Sequence, residues 1–201
     1  SRFLGTLLGM GIGDALGMPV AGWNREQIRE RFRTIDDYHR RVFADGNEIK
    51  AGEFTDESEI ALCIVETATA NNGIIDSDLL GPRMIFLSRG ESKRWMHPDT
   101  PHALEAADNT HEFSLALDED GPASPDVATR GIPVGLLHAV GPFHEDALRA
   151  DAERVVRITH GSPVAIAAAT AVAYGVTLAA CGASPDEWTG ETARFIGAGS
   201  V

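Results

Sequence analysis

Three oxygen-bearing side chains, Thr55, Asp56 and Glu57, stand together at the head of an apolar run in the stretch GEFTDESEIAL, with Glu59 close behind. Two kinds of chemistry suit this pattern. In the first, the acids only start a helix. Asp56 is its N-cap, Glu59 is the capping-box partner, and the carboxylates favour the positive end of the helix dipole. In the second, the Thr55 hydroxyl and the Asp56 and Glu57 carboxylates are ligands for a hard cation. Mg²⁺ and Ca²⁺ select such oxygens, and Mg²⁺ commonly keeps several waters beside a small number of carboxylates. A water held in this way is more acidic and better placed to attack an electrophilic carbon. Adjacent carboxylates alone do not choose between the two readings.

Other reactive residue types give weaker patterns. His97, His102 and His111 punctuate a polar stretch, but their spacing fits no metal-binding helix and reads as loop or exposed histidines. Ser58 has no nearby His–Asp partnership to make it a nucleophile. Gly5, Gly9, Gly13 and Gly17 imitate part of a dinucleotide fingerprint, yet no strand precedes them. Cys63 and Cys181 lie inside apolar runs without metal-like spacing, and both read as buried free thiols in a reduced, cytoplasmic setting.

The elements that must position these groups are helical. Glycine at every fourth position from Gly5 to Gly17 lies on one helical face, which predicts close packing against another backbone, and Pro19 and Gly22 end that helix. REQIRERF is a short helix. The run opened by Thr55–Asp56 carries Ile60, Ile64 and Ala68 on one stripe with Ala61 and Val65 beside it. Ser77 or Asp78 caps the next helix, which reaches about residue 88, and HPDTPHALEAA begins another. LDEDGPASPDVATRGIPVG reads as a turn-rich loop with three prolines, longer than a passive connector needs. A helix follows from Glu145 to about Thr159. The next, Ala-rich helix is capped by Ser162 with Pro163 first, and the last is capped by Ser184 with Pro185 first. The expectation is an all-α fold in a single helical domain over residues 1–201.

Composition narrows the partners. A net charge of −13 argues against a nucleic-acid backbone or an anionic membrane surface, while 43 % hydrophobic residues suffice for a buried core. The apolar N-terminus lacks a basic leader and carries Asp14 in its middle, so it does not read as a signal peptide. The stretch 163–182 is long enough to span a bilayer but is largely alanine, which fits a buried helix of a soluble protein better.

Three segments in this order resemble the ADP-ribosylglycohydrolase family: LLGMGIGDALGMPV, FTDESEIAL, and VVRITHGSPVAIAAATAVA. They are similar, respectively, to its opening Gly-Asp-Ala-Leu-Gly helix, its Thr-Asp-Asp helix start, and its Thr-His-Gly segment before a small-residue helix. The resemblance implies an all-α fold around a binuclear Mg²⁺ (sometimes Mn²⁺) site with ADP-ribose across it. It makes Thr55, Asp56 and Glu57 the first metal cluster, with Asp56 and Glu57 catalytic, and it puts His160 in the ligand pocket. The loop holding Gly121, Ser124, Thr129 and Arg130 falls at the diphosphate, with Arg130 as its charge partner. Asp14 matches the Gly-Asp-Ala aspartate and reads as a structural acid.

The implied activity is hydrolysis of a glycosidic bond to ADP-ribose, on a protein or in a nucleoside-like small molecule. Three departures support a rival reading, a non-catalytic relative with an incomplete metal site. Ala21 and Gly22 stand where the family has a glutamate, Glu57 replaces its second aspartate, and its later Asp-x-Asp-Thr cluster is not in the sequence. The fold expected is therefore of this family's type, with or without its C-terminal part.

Overall fold

Helices make up nearly all the regular structure. The computed structural model describes residues 2–198; the expected domain limits, residues 1 and 201, lie outside them. Nine α-helices follow one another among the described residues: α1 (Arg2–Gly17), α2 (Arg25–Phe32), α3 (Asp56–Ala70), α4 (Ser77–Ser88), α5 (Asp99–Thr110), α6 (Gly131–His138), α7 (Glu145–Arg157), α8 (Pro163–Cys181) and α9 (Pro185–Ala198). The described strands are a hairpin of two residues a side, β1 (Arg41–Val42) and β2 (Glu48–Ile49), with Arg41 opposite Ile49. The fold is all-α, as the sequence predicts.

Side-chain caps open α2, α3 and α4. Asn24 and Gln27 exchange side chain-to-backbone bonds in a capping box that opens α2. At α3 the cap is Thr55, not Asp56: its hydroxyl accepts from the Glu57 N–H, and Asp56 is already helical. Both residue types can cap, and the extended backbone at Thr55 decides the matter. Asp76, one residue before the expected cap, opens α4. Gly182, at φ 97°, ends α8 in the left-handed conformation that a side chain disfavours.

The centre of the fold is α8, packed against α6, α7, α9 and a 3-10 turn over Pro125–Arg130. Although long and apolar enough to cross a bilayer, α8 has only Pro163, Val164 and Cys181 exposed. Cys181 is therefore on the surface, against expectation, while Cys63 is buried. Burial also pushes the Cys63 thiol up to about 11, so it stays protonated and unreactive. From α7, Leu148, Ala152, Val155 and Val156 face the core at helical spacing.

Close helix approach occurs at α6, not α1. A Cβ on Gly131 would lie 2.1 Å from the Ala169 carbonyl oxygen, and one on Gly135 would lie 2.2 Å from that of Ala173. The Thr177 hydroxyl seals the contact by donating to the Gly135 carbonyl at 2.9 Å. No atom lies within 4 Å of a Cβ on Gly5, Gly9, Gly13 or Gly17, so the expected tight packing on that face is not formed by the described residues. The stretch 117–135, read as loop, holds the 3-10 turn and the start of α6. Its glycines and prolines are poor helix formers, and packing on α8 overrides them.

Candidate active site

Asp14 joins the first helix to the third. Its carboxylate accepts from the Thr55 N–H at 2.8 Å, from the Thr55 hydroxyl at 3.1 Å and from the Ser58 hydroxyl at 2.7 Å. A single half-buried acid thus fixes the orphan end of α3 against α1, the structural role its surroundings suggest. Ser58 is committed to this bond.

Around this junction lies a cavity of about 390 Å³. Gly9, Gly13 and Gly17 leave room for it along α1, and Met18 and Ala21 continue that wall. Thr55, Glu57 and Ser58 come from α3 and its cap, and Thr129 and Ile132 close another side. Asp56 is 3 % exposed and lies behind the lining. Burial, the Glu57 charge and then Asp126 raise its carboxyl to about 7, with Arg130 opposing. Burial followed by Asp14 and Asp126 raises Glu57 to about 7 as well. Near neutrality the site therefore holds protons that ordinary carboxylates would release, which marks a place where another cation would be welcome.

Asp126 is the residue that sequence reasoning missed. It sits in the first turn of the 3-10 segment, and its Oδ1 is buried without a hydrogen-bond partner. The only signal in the sequence was an acidic residue after Ser124–Pro125.

Arg130 is 1 % exposed. Its Nη1 donates to the Val155 carbonyl at 3.1 Å and to the Thr159 hydroxyl at 2.7 Å, while Nη2 has no partner. Burial lowers its pKa to about 10, and Asp126 and Asp56 oppose that shift, so it remains a cation. With Arg130 donating to Thr159, the threonine's own proton is available to His160 Nδ1 at 2.8 Å. The ring proton then belongs on Nε2, facing the Ser124 hydroxyl at 3.0 Å. Burial and Arg130 push His160 down to about 4, so the imidazole is neutral.

The sequence-predicted residues therefore separate into two groups. Thr55, Glu57 and Thr129 line the cavity with Asp14, and Asp56 backs them. Ser124, Arg130 and His160 form a buried relay that does not line it. Gly121 lies in the preceding loop, its N–H donating to the Asp118 carbonyl. Another cavity, of about 420 Å³, is lined by His102, Asp118, Pro122, Thr159 and Gly161.

As a metal donor set, Thr55, Asp56 and Glu57 have the hard oxygens that Mg²⁺ selects. No three His, Cys, Asp or Glu side chains converge as a metal site among the described residues. The set fits one side of such a site in chemistry, not a whole coordination sphere.

The sequence profile of ADP-ribosylglycohydrolase matches residues 1–198. The Escherichia coli K12 protein YegU, described as uncharacterized, is 30 % identical over 91 % of this chain and 55 % of its own length. The ADP-ribosyl-[dinitrogen reductase] glycohydrolase of Rhodospirillum rubrum is 27 % identical over 83 % of this chain and 54 % of its own. A solved ADP-ribosylglycohydrolase-related protein complex superposes with a TM-score of 0.68 at 26 % identity, covering 93 % of this chain and 59 % of that one. The chain thus spans little more than half the length of these relatives.

Proposed function

Because the chain belongs to the ADP-ribosylglycohydrolase family, we propose that its cavity takes the ribosyl end of an ADP-ribosyl compound for hydrolysis of the glycosidic bond there. The observation that carries this reading is the junction at Asp14, which holds the Thr55–Asp56–Glu57 turn rigidly at the cavity. Glycoside cleavage passes through an oxocarbenium-like state, and a fixed carboxylate beside the anomeric carbon stabilises that charge. Glu57, which lines the cavity, is assigned this role. Asp56 lies behind it, its carboxyl raised first by burial and then by the Glu57 charge.

Thr55, Asp56 and Glu57 would hold a Mg²⁺ (or Mn²⁺) ion from one side. Bound there, the ion would orient the ribose hydroxyls and make an attacking water more acidic. Thr129, which lines the cavity, is assigned to the diphosphate, with Ser124 and the Gly121 loop behind it. Arg130 supports them as a buried charge, and His160 fixes Ser124 by accepting from Thr159 and donating to the serine. The substrate class is ADP-ribose on a protein side chain or a nucleoside-like small molecule, and the setting proposed is cytoplasmic.

A specific observation favours a second reading, a binding protein without turnover: the donor set among the described residues is one-sided. Calorimetric titration with Mg²⁺ and then ADP-ribose, with hydrolysis of ADP-ribosyl-arginine assayed on the same sample, separates the two. Binding with turnover supports the enzyme, and binding without turnover supports the second reading. No heat with ADP-ribose, with or without Mg²⁺, overturns both.

A further inference from the structure

The wall of the cavity formed by Gly17, Met18 and Ala21 belongs to a turn that ends at Trp23. Within the turn, the Ala21 N–H donates to the Met18 carbonyl at 3.1 Å and the Trp23 N–H to the Val20 carbonyl at 3.0 Å. The carbonyls of Pro19 and Ala21 are reached instead from outside. Arg41 Nη1 donates to both, at 3.2 and 2.8 Å. The same guanidinium carbon lies 5.1 Å from the Trp23 ring centroid and 4.4 Å from that of Phe43. A planar cation between two ring faces is held in orientation as well as position.

Arg41 sits on a firm base. Opposite it in the hairpin is Ile49, which is fully buried, and Phe43 packs edge-on against Trp95 at 5.5 Å. None of the described ion pairs includes Arg41, whereas its neighbour Arg40 pairs with Glu48. Its charge is spent on two carbonyl oxygens and two aromatic faces, all of which belong to the turn or to the hairpin.

We propose that Arg41 is a positioning residue for the candidate active site: it pins the Met18–Trp23 turn and so sets the cavity wall that Met18 and Ala21 present to the ligand. The inference rests on the reading of this cavity as the ADP-ribosyl site. It adds a residue that touches neither substrate nor metal and lies 27 positions after Asp14 in the sequence. Lysine is a poor substitute because an ammonium cannot stack between the rings or reach both carbonyls from one plane.

The test compares the whole 201-residue chain with Arg41→Ala and Arg41→Lys. Amide exchange is followed over residues 18–24 and over α3, and ADP-ribose affinity is measured by calorimetry. The expected result for Arg41→Ala is exchange about tenfold faster in 18–24 with α3 unchanged, and ADP-ribose binding about tenfold weaker, a change worth about 1.4 kcal/mol. Arg41→Lys should recover only a minor part of either. Unchanged exchange in 18–24, equal loosening of 18–24 and α3, or full recovery by lysine would overturn the proposal. If Arg41→Ala does not fold, Arg41→Lys carries the same comparison, since it keeps the charge and the aliphatic stem. If the wild-type chain takes up no ADP-ribose, the functional reading falls, and the exchange data still decide whether Arg41 holds the wall.

Discussion

At the residue scale, the charges in the site give a pH dependence with a definite sign. An acid whose folded pKa exceeds its unfolded value binds more protons when folded, so its contribution is complete below the unfolded pKa and is lost as pH rises. Asp56 and Glu57, both raised to about 7, therefore make the metal-free chain less stable as pH climbs from the ordinary carboxylate range. His160, lowered to about 4 from 6.5, acts the other way, because in that window the unfolded chain takes the proton. Two carboxylates against one imidazole leave a net loss of stability from about pH 5 to about pH 7. Urea midpoints at the two pH values check this, and Glu57→Gln should flatten the difference and raise stability at the higher pH. Asp14 makes a simpler prediction. Asp14→Ala leaves the Thr55 N–H and two hydroxyls without their acceptor, so it should cost about 1–3 kcal/mol in the same assay. The Thr55–Asp56–Glu57 cluster could be read from the sequence because its members are neighbours. Asp126 could not, since its approach depends on packing of the 3-10 turn against α3 and leaves no periodic trace.

At the scale of elements, glycine separates two kinds of helix contact. Gly131→Ala and Gly135→Ala would each force a methyl group into the backbone of α8, and the expected cost is the ~1–3 kcal/mol of an overpacked core. Gly5→Ala, on the open side of α1, meets nothing within 4 Å and should instead stabilise by up to ~1 kcal/mol through helix propensity. Thermal and urea unfolding of the three variants would give opposite signs. Glycine spacing in the sequence shows that a Cβ is dispensable, but it does not show what lies over the gap. For that reason the periodicity of α1 pointed to tight packing that the described residues do not make, while the Gly131/Gly135 pair went unremarked inside a proline-rich stretch. The starts at Ser162–Pro163 and Ser184–Pro185 were legible, because proline at the first helical position acts through local geometry that needs no tertiary partner, whereas the caps of α3 and α4 each fell one residue ahead of the expected one.

At the scale of the molecule, the apolar surface is unevenly distributed. In α1 the buried residue is Ala15, and Leu8 and Ile12 remain about half exposed. Phe54 and Leu62 continue that surface, and Phe86, 77 % exposed, lies at its far edge. Contiguous apolar area of this kind favours association. The net charge of −13 opposes it by repulsion between copies. The two effects differ in their response to salt: burial of apolar side chains is not screened, whereas repulsion between exposed charges falls as the Debye length shrinks from about 30 Å at 0.01 M to about 8 Å at 0.15 M. The 201-residue chain should therefore be monomeric at low salt and self-associate as salt is raised. Leu8→Glu together with Phe86→Glu should suppress that association at every salt concentration while leaving the helical content unchanged. Light scattering across a salt series, with circular dichroism on the same samples, measures both. Association that weakens with added salt would mean that charge pairs, and not the α1 face, bring the copies together.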